Sequence, residues 1–191
     1  HSHSHYHMSD LTIEEVRKEI EISNNIFLKE LGAIPSLFAF PYGEANEQII
    51  NLLKEYKFKV AFGQHSGVIN ETSNFYYLPR FSLNEKYGAI DRVKFAANAK
   101  GLGIYDFIPK DPTIYDNPPF IGFSLLDEKL VPSLDCFVFD SKGEVAKEIF
   151  KFNERIEIRL NRKLTEGRSR MNCTAKGSDG LWRWFGHQFY L

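Results

Sequence analysis

The chain has 191 residues, 43% hydrophobic, 26% charged and 15% aromatic; this suits one folded domain or a domain with a small module, and excludes long disorder, collagen-like repeats and a disulfide-dense scaffold. Lys+Arg 24 against Asp+Glu 25 leaves a formal net charge of -1, so no global field draws the chain to nucleic acid or to an acidic membrane surface. No apolar run reaches the roughly 18 residues of a membrane span, and no charged-then-apolar secretory leader opens the sequence.

Thr12 followed three residues later by Glu15 is a capping box, and Ile13, Val16, Ile20, Phe27 and Leu31 recur on one face until Gly32 ends the pattern, which predicts a long amphipathic helix with one buried stripe. Leu37 to Phe40 predicts a short strand ended by the turn Pro41-Tyr42-Gly43, and Glu44 to Tyr56 a second helix with Ile49, Ile50, Leu52 and Leu53 facing inward. Phe58 to Phe62 and Phe75 to Phe81 read as buried strands and Ile90 to Ala99 as a third amphipathic helix. Strands and helices alternating in this way predict an α/β layer or the later part of a barrel.

The stretch Pro109-Lys110-Asp111-Pro112, followed by Asp116-Asn117-Pro118-Pro119, is a natural joint. It predicts two domains, 1–110 and 111–191. Beyond it Phe120 to Leu125, Leu134 to Phe139, Ile149 to Phe152, Ile156 to Leu160, Ser169 to Thr174 and Trp182 to Phe189 are candidate strands, with hairpin loops at Asp140 to Gly143 and Gly177 to Gly180. The expectation is a small antiparallel β-sandwich-like module. Period-two spacing places Trp182 and Trp184 on one face of the last strand and Arg183 on the other, packing or rim positions first and a sugar or docking platform second. Cys136 and Cys173 are either one disulfide or two buried thiols.

The chemical signal is His1-Ser2-His3-Ser4-His5-Tyr6-His7, four of the six histidines in seven residues ahead of a capped helix. Neutral imidazoles are good ligands for zinc and similar divalent ions, and two of them four residues apart converge on one ion if the backbone turns between them. An affinity tag is the other reading of the cluster.

The order of His1-Ser2-x-Ser4-His5, the helix ending Leu31-Gly32-Ala33-Ile34-Pro35, and Phe38-Ala39-Phe40-Pro41-Tyr42-Gly43-Glu44 resembles the polysaccharide deacetylase family, the NodB-homology carbohydrate esterases, over roughly residues 1–100. The resemblance implies an α/β fold, the C-terminal part of a deformed (β/α) barrel of NodB-homology type, followed by the β-rich module. It implies that His1 and His5 hold Zn2+ or another divalent metal, that Pro41 and Tyr42 line the active-site groove, and that the Tyr42 N–H helps hold the oxyanion. His3 and His7 fall outside the ligand set. It further implies an N-acetylated polysaccharide as substrate, hydrolysed at the amide to release acetate, and a periplasmic or secreted location.

Three departures set further expectations. The family's Asp-Asp strand, which carries the general base and a third metal ligand, has no counterpart here, so a missing N-terminal segment of the same protein, possibly a separate chain, is the expected partner. Ala39 stands where the family has an arginine that orients the base, and Arg80 is the candidate replacement, with a surface arginine at a strand end as the other reading. His65, in the glycine-flanked loop Phe62-Gly63-Gln64-His65-Ser66-Gly67, is the candidate proton donor to the leaving amine, or else a hydrogen-bonded loop histidine. The second function in play is a non-catalytic glycan-binding fragment; an unrelated tagged domain is the third.

Overall fold

A computed structural model describes residues 1–85 and 87–191. Helix α1, Ile13–Leu31, starts at the capping box: Thr12 accepts from the Glu15 N–H, and the Glu15 carboxylate accepts the Thr12 N–H at 2.8 Å. It ends at Gly32 with φ 72°, a left-handed position that costs a residue without Cβ little. The expected stripe is buried only in its first half, at Val16 and Ile20. Phe27 and Leu31, expected on the same face, are 36% and 72% exposed.

Strand β1, Leu37–Ala39, pairs in parallel with β2, Val60–Phe62, across helix α2, Glu47–Glu55. The Asn46 side chain caps α2 by accepting from the Ile49 N–H at 2.8 Å. Helix α2 buries the four aliphatic residues read from its period, and they join Phe38, Phe40, Phe58, Ile20 and Met8 in one small core.

Residues 75–81, expected as a strand, form no regular strand: Leu78 bridges Phe62 in parallel, and backbone bonds of 2.9 Å join Phe75 and Leu78 to Ala61 and Gly63. Asn74 explains the difference. Its backbone oxygen accepts the Tyr77 N–H at 2.8 Å and its side chain the Tyr76 N–H at 2.9 Å, so the segment opens as a turn. Helix α3, Ile90–Asn98, has no buried residue; on it Phe95 meets Trp184 with ring centroids 5.6 Å apart.

From Lys100 onward the chain is β. Strands β3 (Lys100–Gly101), β4 (Ile104–Ile108), β5 (Ile121–Leu125), β6 (Asp135–Asp140), β7 (Gly143–Val145), β8 (Lys147–Phe152), β9 (Arg155–Leu160), β10 (Arg168–Lys176) and β11 (Trp182–Tyr190) form two sheets, ordered β3-β11-β10-β6-β7 and β4-β5-β9-β8. Among the described residues of these two sheets the short β3–β11 strand pair is parallel and the other strand pairs are antiparallel. Alternation along β10 buries Ser169, Met171, Cys173 and Ala175, and along β9 Ile156, Ile158 and Leu160; apart from Ser169 these join Phe123 and Phe189 in one core. Cys136 and Cys173 lie directly opposite each other on β6 and β10 and form a disulfide, which decides between the two readings of the pair.

The expected fold class, α/β with a partial (β/α) barrel, is overturned. Among the described residues the parallel α/β content is the single β1–β2 pair with its crossover helix, three α-helices serve the whole chain, and most strands lie in the two largely antiparallel sheets. The barrel reading needed residues 75–81 as a further parallel strand and the segment after α3 as another repeat. Instead 75–81 turns, and Lys100–Ile108 pairs with β11 and β5.

Strand β11 joins the two parts by using both faces. Phe185 and Phe189 belong to the β core. On the other face Trp184 meets Phe81 at 5.1 Å and donates from Nε1 to Asn172, and Gly186 lies against Ser66 so closely that a Cβ there would collide with the Ser66 carbonyl. Gln188 on this face donates to the Tyr42 carbonyl at 3.1 Å.

Candidate functional site

The histidine segment is extended and has to be held from outside. Helix α1 holds it: Glu19 accepts the Ser4 N–H at 2.6 Å, and the Ser23 hydroxyl donates to the His1 carbonyl at 3.2 Å. Met8, fully buried in the small core, anchors its far end. Between these ties His5 adopts φ 57°. That turn brings the His1 and His5 rings to 4.8 Å, edge to face, and His5 to 4.8 Å from Tyr42.

Tyr42 is the second strained residue. Pro41 starts a tight turn, Tyr42 follows at φ 55° and Gly43 at φ 73°. A bulky residue at positive φ costs on the order of 1–3 kcal/mol and persists where its surroundings over-determine it. Here they do. The Tyr42 carbonyl accepts from Gln188 Nε2 at 3.1 Å and from the Arg168 guanidinium at 3.4 Å, and the Tyr77 hydroxyl donates to the Gly43 carbonyl at 2.9 Å. His7 stacks on the Tyr42 ring at 4.0 Å, nearly parallel.

Glu44, next in the chain, has a fully buried side chain with Oε2 2.7 Å from His7 Nδ1 and Oε1 3.6 Å from Arg168 Nε. Burial pushes its pKa up, and His7 and Arg168 partly offset that by favouring the charged form. Arg168 also donates to Gln64 Oε1 at 3.2 Å, so one guanidinium ties β10 to the turn and to the loop after β2.

Pro41, Tyr42, His1 and His5 are therefore brought together. His65 and Arg80 are placed elsewhere. His65 lies behind the turn, its ring 4.6 Å from Tyr77 and 6.1 Å from His187. A Cβ at Gly63 would stand 2.7 Å from His65 Nδ1 and Cε1, so the glycine makes room for the ring. Burial, with the nearby Arg80 charge, pushes the His65 pKa down to about 3, leaving the imidazole uncharged at neutral pH. Arg80 donates from Nε to the Gly63 carbonyl at 2.9 Å, and its N–H bonds the His65 carbonyl at 2.9 Å. It secures this loop.

The residues present fit a divalent metal in part. Two adjacent imidazoles supply two of the four positions of a tetrahedral zinc site, but among the described residues no group of three or more His, Cys, Asp or Glu is arranged to hold an ion. Glu44, the buried carboxylate of the cluster, is engaged by His7 and Arg168.

Reading the sequence missed His7, Glu44, Tyr77, Arg168 and Gln188 as parts of this site. His7 and Glu44 had a signal, since each flanks a recognised motif. Arg168 was legible only as part of a basic strand edge, and Gln188 not at all: each is one polar residue on an alternating strand, more than a hundred residues from its partner.

A polysaccharide deacetylase family model matches residues 1–61 of the chain. No curated protein matches the sequence. Among solved structures, the chain is similar to the selenomethionine form of PcoC, a copper resistance protein from Escherichia coli, at 15% identity over 46% of this chain and 96% of that one, with a TM-score of 0.38. It is also similar to the Lin-41 filamin domain (19% identity, 44% of this chain and 84% of that one, TM-score 0.33) and to CopC from Methylosinus trichosporium OB3b (13%, 49% and 84%, 0.32).

Proposed function

We propose that the His1, His5 and Tyr42 cluster is one wall of the catalytic groove of a metal-dependent polysaccharide deacetylase, which hydrolyses the acetamide of an N-acetylated sugar to acetate and a free amine. The observation that carries this reading is the convergence of both histidines and the Pro41-Tyr42-Gly43 turn within ring contact of one another, in the stretch that the family model matches.

His1 and His5 are two ligands of the ion, and the rest of its ligand set and the general base come from outside the described residues. The metal's contribution when bound is that of a Lewis acid that lowers the pKa of water. The chain's own part is positional. The strained turn presents the Tyr42 N–H toward the groove, where a rigid backbone donor is suited to charge developing on the acetamide oxygen. The Tyr42 carbonyl, tied to Gln188 and Arg168, prevents the turn from relaxing. Arg168 brings to this turn the guanidinium that Ala39 cannot supply. His65, uncharged and packed behind the turn, acts as a positioning residue through Tyr77, whose hydroxyl holds the Gly43 carbonyl.

The cross-strand disulfide suits an oxidising compartment and supports a periplasmic or secreted location. Among the described residues no helix is long and apolar enough to cross a membrane. The incomplete ligand set favours a second reading, a glycan-binding fragment without turnover.

The test is acetate release from N-acetylglucosamine oligomers by the intact protein with zinc added. His1→Ala and His5→Ala should each lower the rate at least 100-fold and reduce bound zinc. Unchanged acetate release and zinc content in both variants would sink the catalytic reading.

A further inference from the structure

Between the small helical core and the β sheets lies a second feature, on the far side of the Gly43 turn from His1 and His5. It is a cavity of about 420 Å³, within the roughly 300–1,000 Å³ typical of small-molecule sites. Its floor is buried and its rim exposed: His65, Tyr77 and His187 are nearly inaccessible, whereas Asn51, Asn74 and Tyr105 at the edge face solvent.

Two observations show a built polar site. His65 and His187 are 3% and 7% exposed, both line the cavity, and His65 Nδ1 and His187 Nε2 have no hydrogen-bond partner among the described residues. A buried polar atom without a partner is costly, and here two such atoms belong to side chains of one cavity floor, which makes that floor polar rather than purely apolar. The rim charges cancel, Glu47 and Asp106 against Lys54 and Lys110, so nothing selects for an ion of either sign. Burial holds both imidazoles neutral, and each can then donate or accept. The lining also includes aromatic faces, Phe107, Phe185 and Tyr105, and side-chain amides and hydroxyls of Asn70, Thr72 and Asn74, beside aliphatic Ile50, Val68, Leu102 and Ile104. Apolar ring faces edged by neutral hydrogen-bonding groups match the alternating CH faces and hydroxyl edges of a sugar.

We propose that this cavity binds an uncharged, hydroxyl-rich ligand, a short stretch of acetylated glycan, as a subsite separate from the His1, His5 and Tyr42 cluster. The choice of an acetylated sugar rests on the polysaccharide reading; the preference for an uncharged hydroxyl-bearing ligand does not. Tyr77 connects the two places, since its ring lines the cavity and its hydroxyl bonds the Gly43 carbonyl.

The experiment is isothermal titration of the chain with N,N′-diacetylchitobiose. Saturable binding is expected. It should weaken at least tenfold in His187→Phe, which fills the floor with an apolar ring, and in Tyr105→Ala on the exposed rim, and stay within twofold in His5→Ala. If His187→Phe does not fold, Tyr105→Ala carries the test, because that position is exposed. Absence of saturable binding overturns the proposal, as does binding lost in His5→Ala but kept in the cavity variants. One equivalent of zinc taken up without saccharide and lost in His187→Phe also overturns it and assigns the cavity to a metal. Loss of acetate release in His5→Ala with disaccharide binding retained separates the fate of the catalytic reading from that of this one.

Discussion

Residues 1–99 and 100–191 are supported in different ways. The later part has two sheets, a fully buried alternating core and a disulfide between paired strands. Among the described residues the earlier part has one two-stranded sheet, three α-helices and a smaller core, with Ile26, Leu31, Ile34 and Leu37 left exposed on and after α1. Yet the residues of the candidate site, the positive-φ His5 and Tyr42 and the buried Glu44, lie in the weakly supported part. They are clamped from the strong one, through Arg168 and Gln188 to the turn and through the Tyr190 hydroxyl to Asp10 at 2.6 Å. The difference teaches that the β part supplies rigid support to the turn through Arg168 and Gln188, beside the Tyr77 bond that the helical part provides.

That comparison can be broken at several depths. Phe123→Ala, at a fully buried position of the β core, should cost about 3–5 kcal/mol, read as a fall in the urea midpoint. If the β part is the support, near-UV signals from the tyrosines around the turn should be lost in the same transition; their survival would separate the two parts.

Reducing the Cys136–Cys173 bond, which closes a loop of sequence separation 37, should remove about 2–4 kcal/mol. Calorimetry with and without reductant measures it, and an unchanged Tm would remove the disulfide from the account of the β part's rigidity.

The pH dependence has a definite sign at the junction. The folded-state pKa of His65 falls from its ordinary 6.5 to about 3, and that of His187 falls well below 6.5. Stability from these neutral imidazoles is fully present above pH 6.5 and is lost as pH falls toward the folded values, at up to about 1.4 kcal/mol per pH unit for each proton taken up. Glu44 works oppositely: its pKa is raised from 4.5, so its contribution is present below pH 4.5 and is lost as pH rises through the folded value. Urea titrations between pH 3 and 7 should show the acid-side slope flattened in His187→Phe and the opposing component removed in Glu44→Gln. A wild-type slope retained in both would refute the assignment.

The smallest effect belongs to the helical part alone. Thr12→Ala removes one half of the capping box and should cost about 1 kcal/mol, seen as a small loss of helical circular dichroism on heating with the β signals unchanged.

Local chemistry made some elements legible. Thr12 and Glu15 with Gly32 bounded α1, the aliphatic period of α2 was buried as read, and alternation in residues 156–160 and 169–174 marked strands that lie in the sheets. Residues 75–81 were not legible, because an aromatic-rich run resembles a strand until the Asn74 oxygens capture its first N–H groups. Nor was the pairing of Lys100–Ile108, whose glycines and short length carry no period. The site was legible where it is local, at His1, His5, Pro41 and Tyr42.

The sequence by itself determined the capped helix, the histidine pair four residues apart and the proline-glycine turn, because each depends on neighbours within a few residues. Tertiary structure alone decided that no barrel forms, that Cys136 meets Cys173, and that Arg168 and Gln188 hold Tyr42 at positive φ while His65 and His187 line a shared cavity. Those outcomes depend on strand register and on which face of β11 meets which core. Register is set by the summed burial of many side chains, and no local pattern encodes that sum.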